Sequence, residues 1–185
     1  MNLGEKLAAA YLRLNGFFLL PHFTVFSGAQ HNHIDLIGLR AANSKEAAGG
    51  ASFPVDTAFF NQLTDLRGSP SLTANIGVAA QIRTNDQRTA PNQAHLGYAR
   101  DFMGGVEVSR LDFFAGDHSI RRNGECLDIG MRYAGLWIQQ RIDWMIDQDL
   151  RLNKVKSWNW SESFLSDLLA LRDFGLITRE RNPTP

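Results

Sequence analysis

The chain of 185 residues has a single cysteine, few lysines and no long apolar run. Cys126 alone cannot form an internal disulfide, and no spacing of cysteine and histidine in the sequence is typical of a structural zinc site. No apolar run reaches the roughly 18 residues that cross a bilayer, which argues against a membrane-spanning helix. The opening segment, MNLGEKLAAAYLRLNG, lacks the pattern of a secretory signal, so the sequence predicts a cytoplasmic protein without membrane contact.

Charge of either sign is not in excess, because 19 basic residues balance 19 acidic ones. A net charge of zero argues against a protein that coats nucleic acid through bulk electrostatics, since such affinity comes from many phosphate contacts. The basic residues are 15 arginines and only 4 lysines. Arginine recognises phosphate or carboxylate in a planar, bidentate way, although a genome rich in GC gives the same bias. Local phosphate-binding patches are therefore compatible with the composition.

Hydrophobic periodicity predicts an α/β domain with a central mixed sheet flanked by helices. Apolar residues at helical spacing indicate a helix at the start of the chain, ended by Gly16. Four later stretches are typical of strands: FFLLPHFTVFSG, HIDLIGLR, NIGVAAQIRTN and GGVEVSRLDFFAG. The segment 41–74 is predicted to be an insertion that contains a short helix, with Asp56 as its N-cap and Gly68 as its stop.

The predicted domain organisation is a core over residues 1–130 and a helical C-terminal extension over 131–185, packed on that core. After Gly130 the apolar residues follow helical spacing, and a second helix is expected from Asn159 to Gly175. The tail SESFLSDLLALRDFGLITRER also resembles the end of a winged-helix recognition helix running into its wing strand. In that interpretation three arginines would contact phosphate: Arg172, Arg179 and Arg181.

Asp35 is the one acidic residue in the apolar strand HIDLIGLR. Because side chains alternate along a strand, Asp35 points with Ile37 and away from Ile34 and Leu36. A carboxylate at a half-buried position needs a cation, a hydrogen-bond donor or a metal, since leaving it unpaired would cost several kcal/mol. Asp35 is therefore a candidate site residue, and a structural ion pair is the alternative.

Three stretches in this order resemble the PD-(D/E)xK nuclease superfamily, whose fold occurs in many restriction enzymes, Holliday-junction resolvases and small endonucleases. GEKLAAAYLRLNGF resembles its first helix, HIDLIGLR its Asp-bearing strand, and AAQIRTND the next strand, where the family usually has Glu-x-Lys. The resemblance covers residues 1–90. It implies a restriction-endonuclease-like fold and a DNA endonuclease that uses Mg²⁺ or Mn²⁺.

The resemblance also implies roles for four residues. Asp35 would bind the metal, and Glu5 would help to position the metal or its water. Gln81 stands where the family has its second carboxylate, and Arg83 stands where it has its lysine. Gln81 offers only a neutral carbonyl oxygen as a metal ligand, and a guanidinium stays protonated, so Arg83 cannot act as a general base in place of a lysine. Two functions follow: an endonuclease weakened in catalysis, or an inactive module that binds nucleic acid or a protein partner.

Other assignments are open. A rival alignment places the second carboxylate at Glu107 in GGVEVSR, with Ser109 in the lysine position. His31 and His33 lie on the same strand face as Asp35 and are either metal ligands, proton shuttles or parts of a solvated hairpin turn. Four tryptophans of the C-terminal region would complete the core or form a surface for a homodimer or another protein partner: Trp137, Trp144, Trp158 and Trp160.

Overall fold

The structure, a computed structural model, describes residues 1–27, 30–44, 47–48, 51–52, 54–83 and 93–152. Its helices are α1 (Leu3–Leu14), α2 (Thr57–Arg67), α3 (Gln93–Phe102) and α4 (Met131–Leu152). Its strands are β1 (Phe18–Ser27), β2 (Gln30–Arg40), β3 (Ala47–Ala48), β4 (Ala51–Ser52), β5 (Ile76–Arg83), β6 (Val108–Phe114), β7 (Ile120–Asn123) and β8 (Cys126–Gly130). The second helix expected from Asn159 to Gly175, the winged-helix interpretation of the tail, and Trp158 and Trp160 lie outside the described residues.

Six strands form one mixed sheet in the order β1-β2-β5-β6-β8-β7. Strand β2 is antiparallel to both of its neighbours, β1 and β5. Strands β5, β6 and β8 are parallel to one another, and β7 is antiparallel to β8. Strands β3 and β4 form a separate pair within the segment predicted as an insertion. The predicted α/β class with a mixed central sheet and flanking helices is confirmed.

The first helix begins at a capping box that involves a candidate site residue. The Asn2 side chain accepts a hydrogen bond from the Glu5 amide at 2.9 Å, and the Glu5 carboxylate accepts one from the Asn2 amide at 3.0 Å. This arrangement satisfies two amides that have no partner within the helix. Gly16, with φ of 86°, lets the chain leave α1 in a left-handed conformation. Glu5 therefore has a structural role whatever else it does.

The predicted short helix of the insertion is confirmed as α2, with Asp56 as N-cap and Gly68 in the left-handed conformation after its last turn. Asp56 is buried and accepts hydrogen bonds from the Phe59 amide, the Tyr11 hydroxyl and the Tyr133 hydroxyl. One carboxylate thus joins α2, α1 and α4. These bonds fix the helices that cover one face of the sheet.

The sheet has one fully covered face and one partly covered face. On the first, α1, α2 and α4 enclose a core that includes Tyr11, Leu36, Val78 and Phe113. On the second, α3 covers a smaller cluster that includes Ile37 and Ala79. Alternation along β5 then places Gln81 and Arg83 on the second face, as the sequence pattern predicts.

The helix predicted after Gly130 is confirmed as α4, which packs against α1 and adds Ala134 and Ile138 to the core. Gly130 permits a close approach of the preceding loop, because a Cβ on it would overlap the Asp117 carbonyl. In the described part of the chain, α4 and the other helices lack an apolar stretch of the length that a bilayer span requires.

Candidate functional site

Asp35 lies at the point where β2 and β5 separate. Their pairing runs from Arg40 and Ile76 to Leu36 and Ala80, and Asp35 is the next residue of β2. Its carboxylate accepts a hydrogen bond from the Ile82 amide at 2.7 Å and another from the Gln81 side-chain amide at 2.8 Å. The Asp35 side chain therefore replaces the backbone of β2 as the partner of β5 at the end of the ladder.

Glu5 reaches the same region from the first turn of α1. Its carboxylate lies 3.8 Å from His22 Nε2, and the pairing of the residues on either side places His22 opposite Asp35 in the register of β1 and β2. His22 has φ of 54°, a conformation that is uncommon for a residue other than glycine and clusters at functional sites. The β1–β2 hairpin and α1 thus bring an imidazole and two carboxylates into one neighbourhood.

The electrostatics of Asp35 reflect this neighbourhood. Burial raises the pKa of the Asp35 carboxyl above its usual range, and the negative charge of Glu5 raises it further. The Ile82 hydrogen bond and the nearby His22 and His33 act in the opposite direction. A half-buried carboxylate beside a second carboxylate is an arrangement that a bound cation would stabilise.

Asp35→Asn should be at least as stable as the wild type at pH 7. Because the folded-state pKa of Asp35 is raised, its contribution to stability is complete below the unfolded pKa of about 3.9 and is lost as the pH rises through the folded value. The stability difference between variant and wild type should therefore shrink in acid. Thermal melting of both proteins from about pH 3 to about pH 8, a range that includes carboxyl titration, measures this difference.

Asp35→Ala is the matched comparison, because alanine leaves the Ile82 amide without its acceptor. We expect it to lower the free energy of unfolding by about 1–3 kcal/mol. If Asp35→Asn instead unfolds the protein at neutral pH, Asp35 is a structural ion-pair member, and burial beside the Glu5 charge does not destabilise the ionised Asp35.

Gln81 and Arg83 point to the same face of β5 but contact different partners. Gln81 donates its amide to Asp35, whereas the Arg83 guanidinium donates to the Asp112 carboxylate at 3.0 Å. Of the four residues predicted for the site, the structure therefore gathers Glu5, Asp35 and Gln81 around the end of the β2–β5 ladder. Arg83 lies on the adjacent part of the same face and is held toward β6.

Sequence reasoning missed a second polar group beside Arg83. Asp112 of β6 is in register with Gln81 on one side and with Asp128 of β8 on the other. Ligand atoms of Asp112, Cys126 and Asp128 all lie within 4.8 Å of one another, which is close enough to hold a metal ion. The available signal was an aspartate in each of the apolar stretches RLDFF and CLDIG, the same pattern that singles out Asp35.

The geometry of this second group suits a metal ion, but the protonation and pairing of its side chains suit one less well. Burial and the charge of Asp112 raise the pKa of the Cys126 thiol, and a metal binds the thiolate. Asp112 is also paired with Arg83 at 3.0 Å, and Arg110 lies 3.9 Å from the same oxygen. Asp112 is therefore an ion-pair partner of two arginines through one carboxylate oxygen, while its other oxygen, Oδ1, is buried without a hydrogen-bond partner among the described residues.

The alternatives drawn from the sequence occupy other positions. Glu107 precedes β6 and pairs with Arg67 at 3.3 Å, and Val108 pairs with Gly77 at the end of β5 that is remote from Gln81. The rival alignment therefore does not bring a second carboxylate to Asp35. His33 is exposed and its Nδ1 lies 3.0 Å from the Thr24 hydroxyl. The side chain of His31 lies outside the described residues.

Comparison of the chain with known protein families, with curated protein sequences and with solved structures gives no match.

Proposed function

We propose that the chain is a metal-dependent, endonuclease-like protein that acts on DNA phosphodiesters, with a restriction-endonuclease-like core and weakened catalysis. The observation that carries this proposal is the gathering of Glu5 and Asp35 at the point where β2 and β5 separate, close enough for the charge of Glu5 to raise the pKa of Asp35. Two anionic groups there meet the first need of a Mg²⁺ or Mn²⁺ site.

The order of elements supports the proposed core. A helix that carries an acid near its start, an antiparallel hairpin that carries Asp35, and a neighbouring strand that carries Gln81 and Arg83 follow one another in the chain. They are also neighbours in space, because β2 lies between β1 and β5 in the sheet. This is the arrangement that the resemblance to PD-(D/E)xK nucleases implies.

In this proposal each residue has a defined task. Asp35 and Glu5 would hold the Mg²⁺ or Mn²⁺ ion, which when bound supplies charge stabilisation to a phosphodiester undergoing hydrolysis. Gln81 orients Asp35 through its amide hydrogen bond and has a carbonyl oxygen to offer as a further ligand. Arg83 would neutralise phosphate charge after exchanging its contact with Asp112 for one with DNA.

Weakened catalysis follows from the same residues. Gln81 lacks the negative charge of a second carboxylate on β5, so the metal would be held less tightly than by three acids. Arg83 cannot accept a proton at neutral pH, so it cannot activate water as a lysine with a lowered pKa can. Slow cleavage is therefore the expected behaviour of this site.

An inactive binding module is the second candidate, and the hydrogen bonds around Asp35 favour it. The Gln81 amide and the Ile82 amide both donate to the same Asp35 oxygen, and Arg83 is paired with Asp112. Such contacts engage Asp35, Gln81 and one terminal nitrogen of Arg83 within the protein. The module would bind nucleic acid through this face or a protein partner, including a second copy, through the Trp-rich C-terminal region.

Cleavage assays separate the two candidates. The protein is incubated with single-stranded, duplex and branched DNA in Mg²⁺, in Mn²⁺ and in a chelator. The enzyme hypothesis predicts slow, metal-dependent cleavage that Asp35→Asn abolishes and that Asp101→Asn, a change at an exposed acid of α3, leaves intact.

If neither ion supports cleavage or raises the melting temperature, the enzyme hypothesis is wrong. Salt-sensitive DNA binding would then support the nucleic-acid module, since phosphate contacts release counterions. Absence of such binding would leave the protein-interaction module.

A further inference from the structure

A cavity of about 620 Å³ lies at the opposite end of β2 from Asp35. Its lining comes from four places: the C-terminal end of α1, the end of β2, the segment between β2 and β5, and one residue of α4. Arg40 is five residues from Asp35 along the strand, which corresponds to about 17 Å. The cavity is therefore separate from the candidate metal site.

Arg40 forms part of this cavity and is a buried cation whose hydrogen-bond partners among the described residues are neutral. Its side chain is only 2% exposed. The Nε atom donates to the Asn15 carbonyl at 3.2 Å and one terminal nitrogen donates to the Ser44 carbonyl at 2.8 Å. The other terminal nitrogen, Nη1, has no hydrogen-bond partner among the described residues. Burying a guanidinium is unfavourable, and burial accordingly lowers the pKa of Arg40.

The surroundings hold the Arg40 guanidinium in place. It lies over the Phe60 ring at 4.9 Å from the ring centre, and a Cβ on Gly16 would come within 3.3 Å of its Nε. The absence of a side chain at Gly16 therefore leaves room for the guanidinium where the chain leaves α1. An arginine fixed in this way loses little entropy on binding an anion.

Two further arginines line the same cavity. Arg13 is exposed at the end of α1, and Arg141 of α4 donates to the Pro54 carbonyl at 2.9 Å. Among the described residues that line the cavity there is no aspartate or glutamate. Three arginines that line one space, one of them with an unpaired buried nitrogen, favour an anion with more than one charge, such as a phosphate monoester.

The rest of the lining combines apolar residues with uncharged polar ones, and its apolar part indicates a second property of the ligand. Phe17 and Phe18 follow Gly16, and Leu14, Val55 and Leu72 contribute aliphatic surface. Phe18 is 76% exposed, so its ring can receive a flat partner by stacking. The volume lies within the roughly 300–1,000 Å³ of small-molecule sites and exceeds the need of an inorganic ion.

We propose that this cavity binds a nucleoside 5′-monophosphate group, with the phosphate at Arg40, Arg13 and Arg141 and the base against Phe18. The same chemistry is present in a free mononucleotide and at a 5′-phosphorylated end of a nucleic acid strand. The site uses none of the four residues of the candidate metal site, so the two proposals are independent of each other.

Calorimetric titration of the full chain with adenosine 5′-monophosphate tests the site, with adenosine and inorganic phosphate as partial ligands. We expect the monophosphate to bind, adenosine to show no binding, and inorganic phosphate to bind more weakly. A short oligonucleotide with and without a 5′-phosphate distinguishes the two sources: preference for the phosphorylated strand over the mononucleotide identifies a strand end, and the reverse identifies a free nucleotide.

Variants at exposed positions avoid loss of the fold. Arg13→Gln should weaken binding of the monophosphate about tenfold, because it removes a charge-assisted hydrogen bond. Phe18→Ala should weaken the monophosphate and leave inorganic phosphate unchanged. Arg132→Gln, at an exposed arginine of α4 outside the cavity, is the matched control and should have no effect.

The proposal is overturned if the monophosphate does not bind, if adenosine binds equally well, or if Arg13→Gln and Arg132→Gln behave alike. Equal binding of inorganic phosphate and the monophosphate, unaffected by Phe18→Ala, would overturn the role of the base. Asp35→Asn should retain the binding of the monophosphate, which distinguishes a failure here from a failure of the proposed nuclease function.

Discussion

Asp56→Ala should lower the free energy of unfolding by about 3–5 kcal/mol. The change removes the N-cap of α2 and leaves two hydroxyl groups, those of Tyr11 and Tyr133, without their acceptor inside the protein. Burial and the nearby Asp56 raise the pKa of both tyrosines, so each remains a protonated donor at neutral pH. The cost of the variant is therefore the sum of a lost cap of about 1 kcal/mol and two unsatisfied buried donors.

Denaturant unfolding of the wild type and three variants measures this effect. Tyr133→Phe removes one donor and keeps the cap, so it should cost about 1 kcal/mol. Asp101→Asn, at an exposed position, should change the stability by less than about 0.5 kcal/mol. An Asp56→Ala protein within about 1 kcal/mol of the wild type would show that the carboxylate does not join the three helices.

Asp35→Asn should reduce the affinity for Mn²⁺ about a hundredfold. The variant keeps an oxygen that can accept the Ile82 hydrogen bond, but it removes one of the two negative charges at the candidate metal site. Loss of a residue that only supports a metal ligand already costs about 10- to 100-fold in affinity, so loss of a charged ligand belongs at the upper end. The fold should persist, which separates this loss from general unfolding.

Local sequence patterns predicted much of what positions Asp35. Alternation in HIDLIGLR and AAQIRTND predicts that Asp35 shares a face of its strand with Ile37 and that Gln81 shares one with Arg83. The resemblance implies that the two strands belong to one site, and in the structure Gln81 donates a hydrogen bond to Asp35. The cap of α2 was also predictable, because Asp56 precedes an apolar helical pattern that Gly68 ends. These features depend on neighbours in the chain or on the pairing of adjacent strands.

Features that depend on long-range packing were not predictable. Arg83 pairs with Asp112 only because β6 returns parallel to β5 after α3, and periodicity does not specify which strands become neighbours. The parallel pairing of β6 with β8 likewise brings Asp128 into register with Asp112. From the sequence alone, Arg40 is predicted to be an ordinary charged residue at the end of a strand. Its burial against Phe60 comes from the packing of α2.

The direct test of the central claim, that Asp35 and Glu5 form the cation site, is a calorimetric Mn²⁺ titration of the wild type, Asp35→Asn and Asp112→Asn at neutral pH. The claim predicts one Mn²⁺ site in the wild type whose affinity falls about a hundredfold in Asp35→Asn and is unchanged in Asp112→Asn. Binding that survives in Asp35→Asn and disappears in Asp112→Asn would place the metal at the group formed by Asp112, Cys126 and Asp128, and would contradict the claim.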